Sequence, residues 1–194
     1  IFPDDLFTPG TRVNMFYKSN FVGQSAVFTL PDTNGAVYTE FEVLPSSMDS
    51  DSTYNCVLYV DHFDGRGAQP FIERALTNIL GTGSANFEGT NWDRYDVEAP
   101  SSEQASFGRP NNTQYGASVN QTLGYQAIVW NSGNLEAFNV VKEDADVLIP
   151  WLTLIDTGAG QGFGNNLYLS GDGVANSMTG EAVSSPSALQ LLNQ

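Results

Sequence analysis

Cys56-Val57-Leu58-Tyr59-Val60 is an unbroken apolar run that stops at Asp61-His62-Phe63-Asp64 and turns through Asp64-Gly65-Arg66-Gly67. An apolar strand with no polar alternation is buried on both faces, which is the habit of a parallel sheet covered by helices. Beyond the turn the period changes. Phe71, Ala75, Leu76, Ile79 and Leu80 recur at helical spacing and end at Gly81, a residue suited to a helix C-cap. Strand and then helix mark residue 55 as the start of an α/β domain that runs to the end of the chain.

Downstream the alternation repeats. Trp92 to Val97 reads as a shorter strand, and a polar loop with Pro100, Gly108 and Pro110 leads to a short helix near Tyr115 to Leu123. Tyr125 to Trp130 is the next apolar strand. Lys142 to Ile155 is the next helix, in which Ala145, Leu148, Trp151, Leu152 and Ile155 share a face. Glu143 and Asp144 stand near its start, where the helix dipole favours anions, and Pro150 predicts a kink or break. Asn166 to Ser170 is a further strand, turning through Gly171-Asp172-Gly173 into a helical Val174 to Met178, and Pro186 to Leu192 begins a last helix. The fold class expected is α/β, a doubly wound and mainly parallel sheet with an antiparallel β segment in front of it.

Upstream of the apolar run, Ser46-Ser47-Met48-Asp49-Ser50-Asp51-Ser52 has a linker's small polar composition, so residues 46–54 are assigned as the boundary. Residues 1–45 read as β. Val13, Met15 and Tyr17 alternate in one strand, Ala26 to Leu30 form a second and Tyr38 to Leu44 a third, with Pro31-Asp32-Thr33-Asn34-Gly35 as a turn. Three strands have little core of their own, so they either pack on the following domain or are the tail of a larger sandwich; the second is the expectation, and open edges would invite pairing.

Bulk properties narrow the partners. A chain of 194 residues with 41% hydrophobic residues buries a real core, and 7 Lys and Arg against 22 Asp and Glu give a formal charge of −15. Such a surface repels a phosphate backbone or an anionic membrane, so nucleic acid is excluded as a partner. No apolar stretch approaches the ~18 residues that a membrane span needs. Lysine occurs only at Lys18 and Lys142, amid abundant Asn, Ser, Thr and Gly, a composition that predicts a secreted or cell-surface protein. The single Cys56 excludes an internal disulfide and reads as a small buried hydrophobe.

Val57 to Asp61, Trp92-Asp93-Arg94-Tyr95-Asp96-Val97, Gly124 to Gly133 and Asn166 to Gly173, in that order, resemble the flavodoxin-like or class I amidotransferase-like α/β domains of large secreted bacterial multidomain surface proteins. The segment ending in Phe41-Glu42-Val43-Leu44-Pro45 resembles the closing strands of an immunoglobulin-like module of the same proteins. In the enzymatic relatives a strand-to-helix elbow carries a nucleophilic cysteine. Laid over Leu167 to Val174, the resemblance puts Gly171 in its place, with Ser170 pointing to the opposite side of the strand end. It therefore implies a domain without that nucleophile. Other domains of the same polypeptide, or other surface proteins, are the partners it implies.

Ligand sites in open α/β sheets gather beyond the carboxyl ends of the strands. The candidate crevice is accordingly Asp61, His62, Asp64, Asn131, Ser132, Gly171 and Asp172. His62, the only histidine, suits a general base in a hydrolase as well as a loop-ordering donor. Asp61, Asp64 and Asp172 suit a hard cation such as Ca²⁺, yet aspartates beside glycine also cap helices and order turns. Trp92, Tyr95, Phe107, Tyr115 and Trp130 are candidates for a glycan-stacking face, with Trp92 and Tyr115 the more exposed members, against the ordinary placement of aromatics in the core. Gly65-Arg66-Gly67 and Gly171-Asp172-Gly173 fit no phosphate-loop pattern, which excludes nucleotide binding. Asn111-Asn112-Thr113 and Asn120-Gln121-Thr122 match the N-glycosylation pattern.

Overall fold

The computed structural model describes residues 11–20, 22–23, 27–30, 39–44, 56–62, 68–80, 92–97, 106–109, 116–136, 138–153, 164–179 and 191. The chain divides into two compact units between Ser46 and Ser47.

In the first unit β1 (Arg12–Met15) pairs antiparallel with β4 (Thr39–Glu42), and β2 (Tyr17–Asn20) pairs antiparallel with β3 (Val27–Leu30). The single strand expected through Val13, Met15 and Tyr17 is divided at Phe16, so its two halves join different ladders. Every described position of β2 is exposed, including Tyr17, and Val27, Phe28 and Leu30 of β3 are exposed as well. The expected turn at Pro31 to Gly35 and the linker lie outside the described residues.

The second unit is built on β5 (Cys56–Asp61), β6 (Trp92–Asp96), β7 (Tyr125–Asn131) and β8 (Asn166–Ser170), all parallel, in the spatial order β6-β5-β7-β8. Helices α1 (Gln69–Leu80), α2 (Val119–Thr122), α3 (Lys142–Thr153) and α4 (Val174–Thr179) come between or after the strands. The chain adds β6 on one side of β5 and then returns to add β7 on the other, so the winding reverses between β5 and β7. The cysteine that opens β5 has its side chain outside what is described.

Register sorts the side chains into two layers, because residues paired across parallel strands share a face. Val57, Tyr59, Trp92 and Val129 lie on one face, packed with Leu76, Ile72 and Leu80 of α1. Val60, Tyr95 and Trp130 lie on the other. There Phe107 meets Tyr95 and Trp130 edge-on, at centroid distances of 5.1 and 5.9 Å. Leu58, Val60, Ile128, Trp130, Val140, Ala145, Leu148 and Trp151 are all buried.

Helix α1 corrects the helical face expected from sequence. Its buried stripe is Ile72, Leu76 and Leu80, whereas Phe71 and Ile79 are 71% and 77% exposed. Phe71, Ala75 and Ile79 form a second stripe one position round the helix, and the sheet accommodates only one. In α3, Ala145, Leu148 and Trp151 are buried as expected, Val147 joins them, Leu152 is half-buried, and Ile155 lies outside the described residues. Pro150 stands inside α3 and is exposed. Leu191, within the expected last helix, is buried.

Candidate functional site at the carboxyl ends of the strands

Parallel pairing carries the ends of β5, β7 and β8 to one edge of the sheet. Asp61 is opposite Asn131, and Asn131 is opposite Ser170. Backbone bonds extend the pairing past the strands: His62 N donates to Asn131 O at 2.9 Å, Ser132 N to Ser170 O at 2.8 Å, and Asp172 N to Gly133 O at 2.8 Å. Asp61, His62, Asn131, Ser132, Gly171 and Asp172 are thus brought together at the carboxyl ends. Asp64 lies outside the described residues.

Strand alternation then separates them. Asp61 and Asn131 point to the α1 face, and His62 and Ser132 to the opposite one. All four are at most 5% exposed, while Asp172 is on the surface. Among the described residues no group of three or more His, Cys, Asp or Glu is arranged to hold a metal ion.

His62 is held on two sides. Its Nδ1 is 3.2 Å from Asn139 O, and its ring meets Trp130 edge-on at a centroid distance of 5.4 Å. Asn139 is itself buried and donates through Nδ2 to Leu135 O at 3.0 Å. The histidine therefore ties β5 to the loop after β7. Asn131 orders the same loop by accepting from Gly133 N at 3.4 Å.

Gly171 answers the elbow question in steric terms. A Cβ placed there overlaps the Ser132 hydroxyl and comes within 3.2 Å of Ser132 Cβ and 3.1 Å of Val174 Cγ2. Ser132 is fully buried, and its hydroxyl donates to Ser170 O at 3.3 Å. The space a side chain at position 171 would occupy is filled by Ser132, which follows β7 directly. Comparison with family models, with curated proteins and with solved structures finds no match to this chain.

On the α1 face the residues below the strand ends carry charge. Arg94 pairs with Glu73 of α1 at 2.7 Å and with Asp96 at 2.9 Å. Burial raises the Asp96 carboxyl above the usual range, against the pull of Arg94. Burial, and next the charge of Asp61, push the Tyr59 phenol upward, with the Asn131 side chain opposing. The charges of Asp61, Glu73 and Asp96 all act on the Tyr59 phenol in the same upward direction.

Asp144 was legible in sequence only as a charge suited to a helix start. The structure makes it a fully buried anchor. Its Oδ2 accepts from Val141 N at 2.8 Å, closing the first turn of α3, and its Oδ1 accepts from Phe107 N at 2.7 Å and Gly108 N at 3.0 Å. Burial pushes its carboxyl up to about 7 against the opposing pull of the three N–H donors. Glycine at 108 is required by the same contact, since a Cβ there would overlap the backbone carbonyl of Glu143. The signal in sequence is Gly108 with an acid at the third position of a helix, and neither names the other as its partner.

The expected glycan face is not formed by these aromatics. Trp92, Phe107 and Trp130 are buried, Tyr95 is half-buried, and Tyr115 lies outside the described residues. Trp92 packs with Tyr59 and Leu76 because its register partner, Val57, faces α1. Of the two glycosylation patterns, Asn120 is exposed on α2, whereas Thr122 is buried and donates through Oγ1 to Val119 O at 2.7 Å.

Proposed function

We propose that the second unit is a doubly wound domain, flavodoxin-like or amidotransferase-like, with a non-catalytic structural or interaction role in a secreted or cell-surface multidomain protein. The antiparallel unit before it is, on the same proposal, part of an immunoglobulin-like module. The observation that carries the non-catalytic role is Ser132, packed where a side chain at Gly171 would stand. The burial of His62 and Asn131 and their bonds to the loop after β7 support the same role. The strand order β6-β5-β7-β8 supports the doubly wound class, and the lysine-poor, acidic composition supports an extracellular location.

Stability separates this role from a ligand crevice. Groups kept for binding or catalysis commonly cost stability, so replacing them leaves the fold as stable or more so. Structural groups do the reverse. His62→Ala and Asn131→Ala are each expected to lower the midpoint of thermal unfolding. A raised or unchanged midpoint for both, or heat released on calorimetric titration with Ca²⁺ or a glycan panel, overturns the proposal.

A further inference from the structure

The two edges of the parallel sheet are unlike. At the β6 edge, Trp92-Asp93-Arg94-Tyr95-Asp96 presents the half-buried charges of Arg94 and Asp96, with Asp93 buried beside Tyr125, and charged side chains along an edge discourage another strand from pairing with it. At the β8 edge, Asn166-Leu167-Tyr168-Leu169-Ser170 carries none, and the sequence has no charged residue from Thr157 to Gly171. Among the described residues β8 is paired on one side only, with β7. Tyr168, at its centre, is 63% exposed.

We infer that the β8 edge is a self-association surface, on which a second copy of this chain pairs its own β8 antiparallel about a twofold axis. A chain of net charge −15 resists meeting itself, so the contact must fall where its charges are not. The five-residue strand is self-complementary in this arrangement. With the axis through Tyr168, Tyr168 faces its own copy, Leu167 faces Leu169 and Asn166 faces Ser170. Asp172, the first charge beyond the strand, faces Gly164 and not another Asp172. The contact is isologous and closes at two copies, joining two four-stranded sheets into one. An aromatic pair directly across the strands adds to the backbone bonds. Pairing at this edge does not depend on whether the domain is catalytic.

The test uses the full chain in sedimentation equilibrium from about 1 to about 300 μM, where a reversible dimer shows a concentration-dependent mass. Tyr168→Lys sets two like charges opposite each other and is expected to raise the dimer dissociation constant at least about tenfold, while Tyr168→Phe retains association. A second measurement does not depend on that variant folding. Under mild oxidation Tyr168→Cys is expected to form an intermolecular disulfide, because directly opposed Cβ atoms approach to about 4.5 Å, the far end of the range a disulfide spans, and a small backbone shift closes the rest. Asn166→Cys, opposite Ser170, and the wild type with Cys56 are expected to form none. A monomer over the whole range, a dimer indifferent to Tyr168→Lys, or cross-linking equal at 166 and 168 overturns the inference.

Discussion

Gly171→Ala is a sharp probe of the strand ends, because the methyl it adds meets one main steric obstacle besides the backbone strain of φ +159°, and that strain is the same whichever residue stands at 132. That obstacle is the Ser132 hydroxyl, with Ser132 Cβ at 3.2 Å and Val174 Cγ2 at 3.1 Å as lesser ones. Ser132 is fully buried, held from its backbone N to Ser170 O at 2.8 Å and from its hydroxyl to the same oxygen at 3.3 Å, so it has little room to yield. Overpacking of this kind costs about 1–3 kcal/mol. Ser132→Ala alone removes one buried hydrogen bond, worth about 1 kcal/mol, and also removes the obstacle. The double variant is therefore expected to be more stable than the sum of the two single changes implies, by about 1 kcal/mol or more, within the range seen for residues in contact. Urea unfolding followed by tryptophan fluorescence is the assay. The three tryptophans, Trp92, Trp130 and Trp151, are buried in the second unit and report on it without interference from the first. If Gly171→Ala costs the same with Ser132 and with Ala at that position, the packing argument against a nucleophile at the elbow fails.

Three further expectations concern the core and the buried Asp144. Asp144→Ala leaves the N–H groups of Phe107, Gly108 and Val141 without their acceptor, a loss on the order of 3 kcal/mol by the same urea assay; a change below about 0.5 kcal/mol would mean that water replaces the carboxylate freely. Because burial raises the Asp144 carboxyl from 3.8 to about 7, the folded state holds its proton more tightly than the unfolded state does. Its contribution to stability is then fully present below about pH 4 and is lost as pH rises to about 7, so the stability gap between wild type and Asp144→Asn is expected to narrow over that window and level off above it. A gap that widens with rising pH would show that the three donors outweigh burial. On α1, Leu76→Ala is expected to cost about 2–5 kcal/mol, while Phe71→Gln and Ile79→Gln stay within about 0.5 kcal/mol in the same unfolding experiment. Equal costs at the three positions would reverse the assignment of the helix faces.

The periodicities of 2 and 3.6 residues are properties of short stretches, and they placed β5 to β8 and α1, α3 and α4 to within a few residues. The unbroken apolar run at Cys56 to Val60 announced a parallel, doubly covered sheet because only such a sheet needs no polar face. The same local signals could not choose between two apolar stripes on α1. Phe71, Ala75 and Ile79 repeat as regularly as Ile72, Leu76 and Leu80, and the choice was made by which stripe meets Tyr59 and Trp92 across the layer. Nor could they place strand neighbours. The order β6-β5-β7-β8 brings Asp61 to Asn131, and alternation along each strand then turns adjacent candidates to opposite faces.

Sequence by itself determined the strands and longer helices of the second unit and the strand ends at which Asp61, His62, Asn131 and Gly171 gather, since these depend on residue identity and local spacing. Only the tertiary structure decided that Ser132 packs against Gly171, that His62 is tied to Asn139, and that Asp144 clamps Phe107 and Gly108. Those contacts join residues 36 to 77 positions apart in the chain, and nothing in a window of local sequence encodes which distant backbone group a buried side chain will meet. Burial and partnership are properties of the packed whole, because a polar side chain commits to a partner only once the surrounding layers have removed it from water.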